Sequence, residues 1–183
     1  MDPTGNTVAL RIIIIVILLA LSAYFSSAET ALTMVNKIRM RTLADDGNKA
    51  AACVLKLHEN KGKMLSAILI GNNVVNLSTS SIMTILAADI FGNAAVGIAT
   101  GVLTILILIF GEITPKTMAS LEADKIAMKS AKNIYLLMMI LTPVIWTVNK
   151  MSGGILRLLH VDPNKKTDVM TEDELRYFCV SGA

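Results

Sequence analysis

The stretch IIIIVILLALSAYFSSAETALTMVN, residues 12–36, decides the fold class of this chain of 183 residues. Its one charged residue is Glu29. A helix rises about 1.5 Å per residue and the hydrocarbon layer of a bilayer is about 30 Å thick, so roughly 20 residues cross it. The stretch is therefore long and apolar enough to predict a membrane-spanning helix, at about residues 8–35.

A secretory signal peptide is the alternative interpretation of this segment. Arg11 precedes the apolar run, and Ser26-Ser27-Ala28 resembles a cleavage site. The apolar character continues beyond Ala28 as far as Val35, however, which favours a helix that stays in the protein.

Two further windows, residues 64–88 and 90–111, contain no charged side chain. They predict crossings at about residues 64–88 and 94–115. The whole composition agrees, because 17% of the residues are charged, against about 25% in a soluble domain. We therefore predict an all-α integral membrane protein with three transmembrane helices.

A fourth apolar window, residues 133–149, is shorter and contains Pro143. Proline removes a helical hydrogen bond, which favours a break near Leu141–Thr142. Basic residues flank the window on both sides, and a full crossing would place one flank outside. We expect a re-entrant or interfacial segment, with a fourth crossing as the alternative.

The distribution of basic residues predicts the orientation. Residues 37–63 carry seven Lys or Arg, and the connection at residues 89–93 carries none. By the positive-inside rule the first segment is cytoplasmic, the amino terminus lies outside and the carboxyl terminus inside. Asp45-Asp46-Gly47 is a turn signal, and Asn48 can cap a second helix, so we predict a cytoplasmic helical hairpin at 37–63. It is either a gate or a plain loop with helical content.

The last part of the chain, residues 161–183, follows a transmembrane domain at 1–160. Thr171 and Glu174 have capping-box spacing, which predicts a short helix. We interpret this part as the start of a cytoplasmic region, cut by truncation. Cys53 and Cys179 lack metal-ligand spacing and are expected to be reduced thiols.

Three clusters of polar residues interrupt the predicted crossings, where polar groups are costly. They are Phe25–Thr30, Gly71–Asn76 and Phe110–Lys116. Asn72 and Asn76 are four residues apart and share a helix face, whereas Asn73 points away. Pro115 can free backbone carbonyls near Gly111, and such backbone is tolerated where it lines a cavity.

The side chains of these clusters offer hydroxyl, amide and carboxylate oxygens, without histidine or cysteine. Hard oxygen donors suit Mg²⁺, Ca²⁺ or Na⁺ and argue against zinc or copper. Hydrogen bonding between helices is the alternative role. For Glu112, the structural alternative is an ion pair with Lys116 at i+4. No nucleophile–base pair suggests an enzyme, and nothing suggests nucleic-acid binding.

Three ordered motifs carry a family resemblance: Phe-Ser-x-x-Glu-Thr-Ala-Leu at 25–32, Gly-Asn-x-x-Val-Asn at 71–76, and Gly-Glu-Ile-x-Pro-Lys at 111–116. Over nearly its whole length the chain resembles the transmembrane domain of the cyclin M / CorC family. The resemblance implies magnesium export, coupled to sodium entry, across the plasma or inner membrane. It also implies a homodimer, with CBS domains following in longer members.

The same resemblance implies a magnesium site made by Ser26, Asn72, Asn76 and Glu112. Glu29, Asn73 and Gly111 are further candidates, and Pro115 is the position at which the third helix would change shape. Gly97 and Gly101 form a G-x-x-x-G pair that predicts close helix packing, within one subunit or between two. The rival interpretation is a membrane anchor or magnesium sensor that relays ion binding to cytoplasmic domains without transport.

Overall fold

The computed structural model describes residues 5–92 and 96–158. Every regular element in these ranges is helical, as the sequence predicts. The helices are α1 (Gly5–Met34), α2 (Lys37–Asp45), α3 (Lys49–Glu59), α4 (Lys61–Phe91), α5 (Val96–Leu106), a π-helical segment (Ile107–Ile113), α6 (Thr114–Leu121), α7 (Ala123–Ile140) and α8 (Thr142–Leu158). The chain divides into two units, residues 1–142 and 143–183.

Helix α1 is the centre of the first unit and packs against α4, α6, α7 and the π segment. Small side chains make this possible, because Ala28 and Ala31 on α1 and Ala127 and Ala131 on α7 are fully buried. Small residues allow helix backbones to approach closely in lipid. Large apolar side chains such as Ile13 face outward from α1, as expected for a helix that contacts lipid.

Two segments of the described chain are long and apolar enough to cross a membrane: Thr7–Met34, and Val96–Leu121 with its π segment. Helix α4 has 31 residues, long enough to cross a membrane, and carries asparagines, serines and threonines among its apolar residues. Helices α7 and α8 together could form one broken span or a re-entrant loop. The predicted total of three crossings stays a prediction.

The helix that contains the third predicted crossing, residues 94–115, does not end at Pro115. Helix α6 continues to Leu121, and Pro115 lies in its first turn. A proline is tolerated there because the backbone N–H groups of a first helical turn have no acceptor within the helix, so the missing N–H costs little. The hydrogen-bond register changes before Pro115 without a break in the helix. The N–H of Thr114 bonds to the carbonyl of Ile109, the i→i−5 spacing of a π-helix.

The predicted break in the fourth apolar window is present, since α7 ends at Ile140 and α8 begins at Thr142. The N–H of Leu141 closes α7 on the carbonyl of Leu137. The window at 133–149 is therefore split between two helices, and α7 begins ten residues before it, at Ala123. The region from residue 161 onward, with Thr171 and Cys179, lies outside the described residues.

The hairpin after α1 is formed by α2 and α3, within its predicted range. Asn48 caps α3, as predicted, by accepting hydrogen bonds from the N–H groups of Ala50 (2.9 Å) and Ala51 (3.2 Å). Gly47 turns the chain with φ of 91°. Ala51, Val54 and Leu57 form the buried face of α3, whereas Ala52 and Leu55 are half-buried.

Candidate cation site

The candidate site forms where α1, α4 and the π segment meet. The hydroxyl of Ser22 donates to Oδ1 of Asn72 at 3.3 Å, which joins α1 to α4. The amide Nδ2 of Asn76 donates to Oε1 of Glu112 at 3.5 Å, which joins α4 to the π segment. The structure thus brings together three predicted ligands that are up to 40 residues apart in the chain.

Gly111 closes the site between the π segment and α1. A Cβ atom at this position would lie 3.0 Å from Oγ of Ser22, and Gly111 itself is buried. Such a separation is tighter than most Cβ contacts. Glycine therefore lets the backbone next to Glu112 approach the hydroxyl of Ser22 directly.

Two oxygens of the predicted ligand set are buried without a hydrogen-bond partner in the described chain: Oγ of Ser26 and Oδ1 of Asn76. The Ser26 side chain is 0% exposed. Buried polar atoms normally have partners, and leaving one without costs about 1–3 kcal/mol. These two atoms are therefore available to a ligand that accepts oxygen donors, such as a metal cation.

The carboxylate of Glu112 has no basic partner among the ion pairs of residues 5–92 and 96–158. The alternative pairing with Lys116 is not formed. Nζ of Lys116 instead lies 3.4 Å from Oε2 of Glu29, across the contact between α6 and α1. Lys116 thus neutralises Glu29 and leaves Glu112 beside an amide.

Glu29, Asn73 and Pro115 were also candidates from the sequence. Glu29 is half-buried and paired with Lys116, so its contact is a cation of the protein itself. Asn73 is exposed, whereas Asn72 and Asn76 are half-buried, as their helical spacing predicted. Pro115 is buried, and its carbonyl accepts a 3.3 Å hydrogen bond from the hydroxyl of Ser27 on α1.

Ser22 is the residue of this site that the sequence interpretation missed. It is 1% exposed and lies four residues before Ser26, so both hydroxyls share one face of α1. A serine in an apolar helix usually bonds to its own backbone and was not distinguished from that case. The i, i+4 spacing of two serines, one helical turn before Glu29, is the signal that could have identified it.

The described residues hold no group of three or more His, Cys, Asp or Glu side chains that could bind a metal. The site has one carboxylate, with neutral oxygens around it. Ca²⁺ sites usually collect several carboxylates, whereas Mg²⁺ is bound through one or two and keeps part of its water shell. The donor set therefore fits a small, hard and partly hydrated cation.

A family model and several known proteins are similar to this chain over most of its length. The family model of the cyclin M transmembrane N-terminal domain matches residues 13–183. A UPF0053 protein of Haemophilus influenzae is 41% identical over 164 residues, which cover 90% of this chain and 39% of that protein. The UPF0053 inner membrane protein YfjD of Escherichia coli is 38% identical over 155 residues, which cover 85% of this chain and 35% of that protein.

A more distant relative, the polyamine export protein of Salmonella typhimurium, is 27% identical over 184 residues, covering 88% of this chain and 39% of that protein. The chain thus spans between 35% and 39% of the length of these three relatives. The family model matches nearly all of this chain, from residue 13 to residue 183. The chain belongs to the cyclin M transmembrane N-terminal domain family.

Proposed function

We propose that this domain transports Mg²⁺ across the membrane through the site between α1, α4 and the π segment. The observation that carries the proposal is the carboxylate of Glu112, which forms no ion pair in the described part of the chain. Beside it are the buried oxygens of Ser26 and Asn76, which have no hydrogen-bond partner among the same residues. A cation between them would satisfy all three groups. Asn72 would become a further ligand if its Oδ1 gave up the hydrogen bond from the Ser22 hydroxyl and bound the ion instead.

Export coupled to sodium entry is the direction that we propose, on the strength of the family resemblance. Hard oxygen donors serve Na⁺ as well as Mg²⁺, so one site could hold either ion in turn. We further propose that the domain works as a homodimer in the plasma or inner membrane. Gly97 and Gly101 support this, because a Cβ at either position would meet nothing within 4 Å in the described chain.

Polyamine transport is a second candidate, because the relatives in Salmonella typhimurium and Escherichia coli are named polyamine export proteins. A polyamine carries several ammonium groups along an extended chain, and carboxylates at intervals would suit it. The candidate site has Glu112 alone, since Glu29 is already paired with Lys116. This difference favours the metal ion.

Titration of the purified protein with Mg²⁺ tests the site, using Glu112→Gln. Glutamine keeps the size of the side chain and its acceptor oxygen but removes the negative charge. The attraction of a divalent ion to one charge grows as the effective dielectric constant falls, so we expect affinity to fall at least about 100-fold. Asn76→Ala should weaken binding as well, and the exposed Asn73→Ala is the matched control that should not.

A folded Glu112→Gln variant with unchanged Mg²⁺ affinity would remove this residue from the site. Competition by spermidine, measured in the same titration, distinguishes the two substrates. Displacement of Mg²⁺ by micromolar spermidine would favour the polyamine. Flux into liposomes then separates a transporter from a sensor or anchor, because a sensor binds magnesium without moving it.

A further inference from the structure

A cavity of about 460 Å³ lies on another face of α1, between this helix, α7 and the start of α6. Its lining includes Ala20, Ala23, Phe110, Pro115, Met118 and Lys129. Pockets that bind small molecules range from about 300 to 1,000 Å³. The cavity is therefore large enough for a ligand.

The cavity exists because α1 presents small side chains on this face. Ala20, Ala23 and Ala28 lie within two turns of one another and leave space next to the larger residues of α6 and α7. Phe110 and Met118 at its edge are more than half exposed. Since these residues belong to an apolar segment that can span a membrane, we expect the cavity to open towards lipid.

The basic side chain at this cavity determines which lipid would suit it. Lys129 is exposed and forms no ion pair within the described ranges. Lys125 and Lys132 lie four residues before and three after it, so all three project from one side of α7. A basic residue near an anionic membrane surface contributes about 1 kcal/mol to lipid attraction.

We propose that this cavity binds one acyl chain of a lipid whose anionic phosphate headgroup pairs with Lys129. The apolar lining takes the chain, and the ammonium group of Lys129 takes the headgroup. The bound chain would lie against Pro115, whose carbonyl receives the Ser27 hydroxyl, and so would support the junction between the π segment and α6. The proposal is independent of the identity of the transported ion.

Native mass spectrometry of the purified protein tests it, with phosphatidylglycerol and phosphatidylcholine of identical acyl chains as probes. We expect phosphatidylglycerol to bind about 5-fold more tightly, the effect of roughly one lysine contact. Lys129→Gln should remove this preference. Lys49→Gln, at an exposed lysine of α3 that does not line the cavity, should keep it.

Ala23→Leu tests the position of the acyl chain, because the larger side chain fills the cavity. It should weaken the binding of both lipids, whereas Ala9→Leu, at an exposed alanine near the start of α1, should not. Ala20→Val is a smaller filling substitution, to be used if Ala23→Leu fails to fold. Gel filtration and circular dichroism establish the fold of each variant.

Three results would overturn the proposal. The first is equal binding of the two lipids to the unaltered protein, and the second is equal binding by the Ala23 and Ala9 variants. The third is a shift between monomer and dimer in Ala23→Leu with lipid binding unchanged, which would assign the cavity to a second copy of the chain.

Discussion

Glu112 takes its partner from another helix, because the side-chain amide of Asn76 on α4 donates to its carboxylate. Its position in an apolar segment and its motif identified it as a candidate ligand, and spacing along one helix offered Lys116 as a partner. The choice between these roles depends on which helix lies opposite. Lys116 forms an ion pair with Glu29 on α1, and Asn76 on α4 donates a hydrogen bond to Glu112. Helical spacing contains no information about such contacts between helices.

Gly111 gives a sharp prediction about packing at the site. Its Cβ would lie 3.0 Å from Oγ and 3.4 Å from Cβ of Ser22, so Gly111→Ala pushes the π segment away from α1. Overpacking of this kind typically costs about 1–3 kcal/mol. We expect a lower thermal midpoint and weaker Mg²⁺ binding, whereas Gly62→Ala, with nothing within 4 Å, should lower neither.

A double-mutant cycle tests whether the contact with Ser22 causes the loss of stability in Gly111→Ala. Ser22→Ala removes the hydroxyl nearest to the added methyl group, so part of the stability lost in Gly111→Ala should return in the double variant. Strictly additive effects of the two substitutions would show that the contact with Ser22 is not the source of the loss.

We expect His58 to make the docking of the hairpin sensitive to pH. Both of its ring nitrogens are buried in the last turn of α3. Burial lowers the pKa of His58 below its ordinary value of 6.5, and the charges of Lys37 and Lys61 lower the pKa further. The docked hairpin therefore favours the neutral ring, and its stabilisation is complete above about pH 6.5.

As the pH falls from 6.5 towards the lowered pKa, an undocked hairpin takes up the proton first and docking weakens. We expect limited proteolysis between α2 and α3 to be faster at pH 5.5 than at pH 7.5. His58→Gln, which cannot titrate, should lose most of this pH dependence. The same acceleration in both proteins would assign the effect to other groups.

Among the elements, helices and their caps were the most accessible to prediction. The apolar runs predicted the ends of α1 and α4 to within a few residues. Asn48 predicted the start of α3, and Pro143 predicted the break before α8. The π segment was not predicted. Its register depends on how α1 and α4 pack around Gly111 and Glu112, and local sequence favours an ordinary helix there.

Asp124, at the start of α7, forms hydrogen bonds that link the hairpin to the rest of the first unit. This carboxylate accepts from the backbone N–H of Asn36 at 3.2 Å and from Arg39 at 2.8 Å. Asp124→Ala removes both bonds. We expect docking of α2 to weaken by about 1 kcal/mol, which is roughly a fivefold increase in amide exchange across this helix.

Glu122→Ala is the matched control for this experiment. It breaks the exposed pair between Glu122 and Lys125, at 3.1 Å, and removes no hydrogen bond or ion pair to the hairpin within the described ranges. Exchange in α2 should therefore be unchanged. If both variants behave alike, the attachment through Asp124 does not hold the hairpin, and a gate role that depends on it would be excluded.

At the scale of the whole molecule, the direction of insertion is the main prediction. The contact between Arg39 and Asp124 brings the end of α1 and the start of α7 to one end of the first unit. The pair of Arg11 and Asp89 joins the start of α1 to the end of α4 at the other. The basic hairpin belongs to the former end, so the positive-inside rule places that end in the cytoplasm and the amino terminus outside.

Single cysteines in a variant without Cys53 and Cys179 test this orientation with a membrane-impermeant maleimide on intact cells. Asp2→Cys should be labelled at once. Lys49→Cys, at an exposed position of α3, should be labelled after permeabilisation and not before. The opposite pattern would reverse the topology and place the basic hairpin outside. Lys129 lies on α7, whose first turn contains Asp124. The same result would therefore also move the proposed lipid to the outer leaflet, so this measurement determines the leaflet from which the lipid enters the cavity.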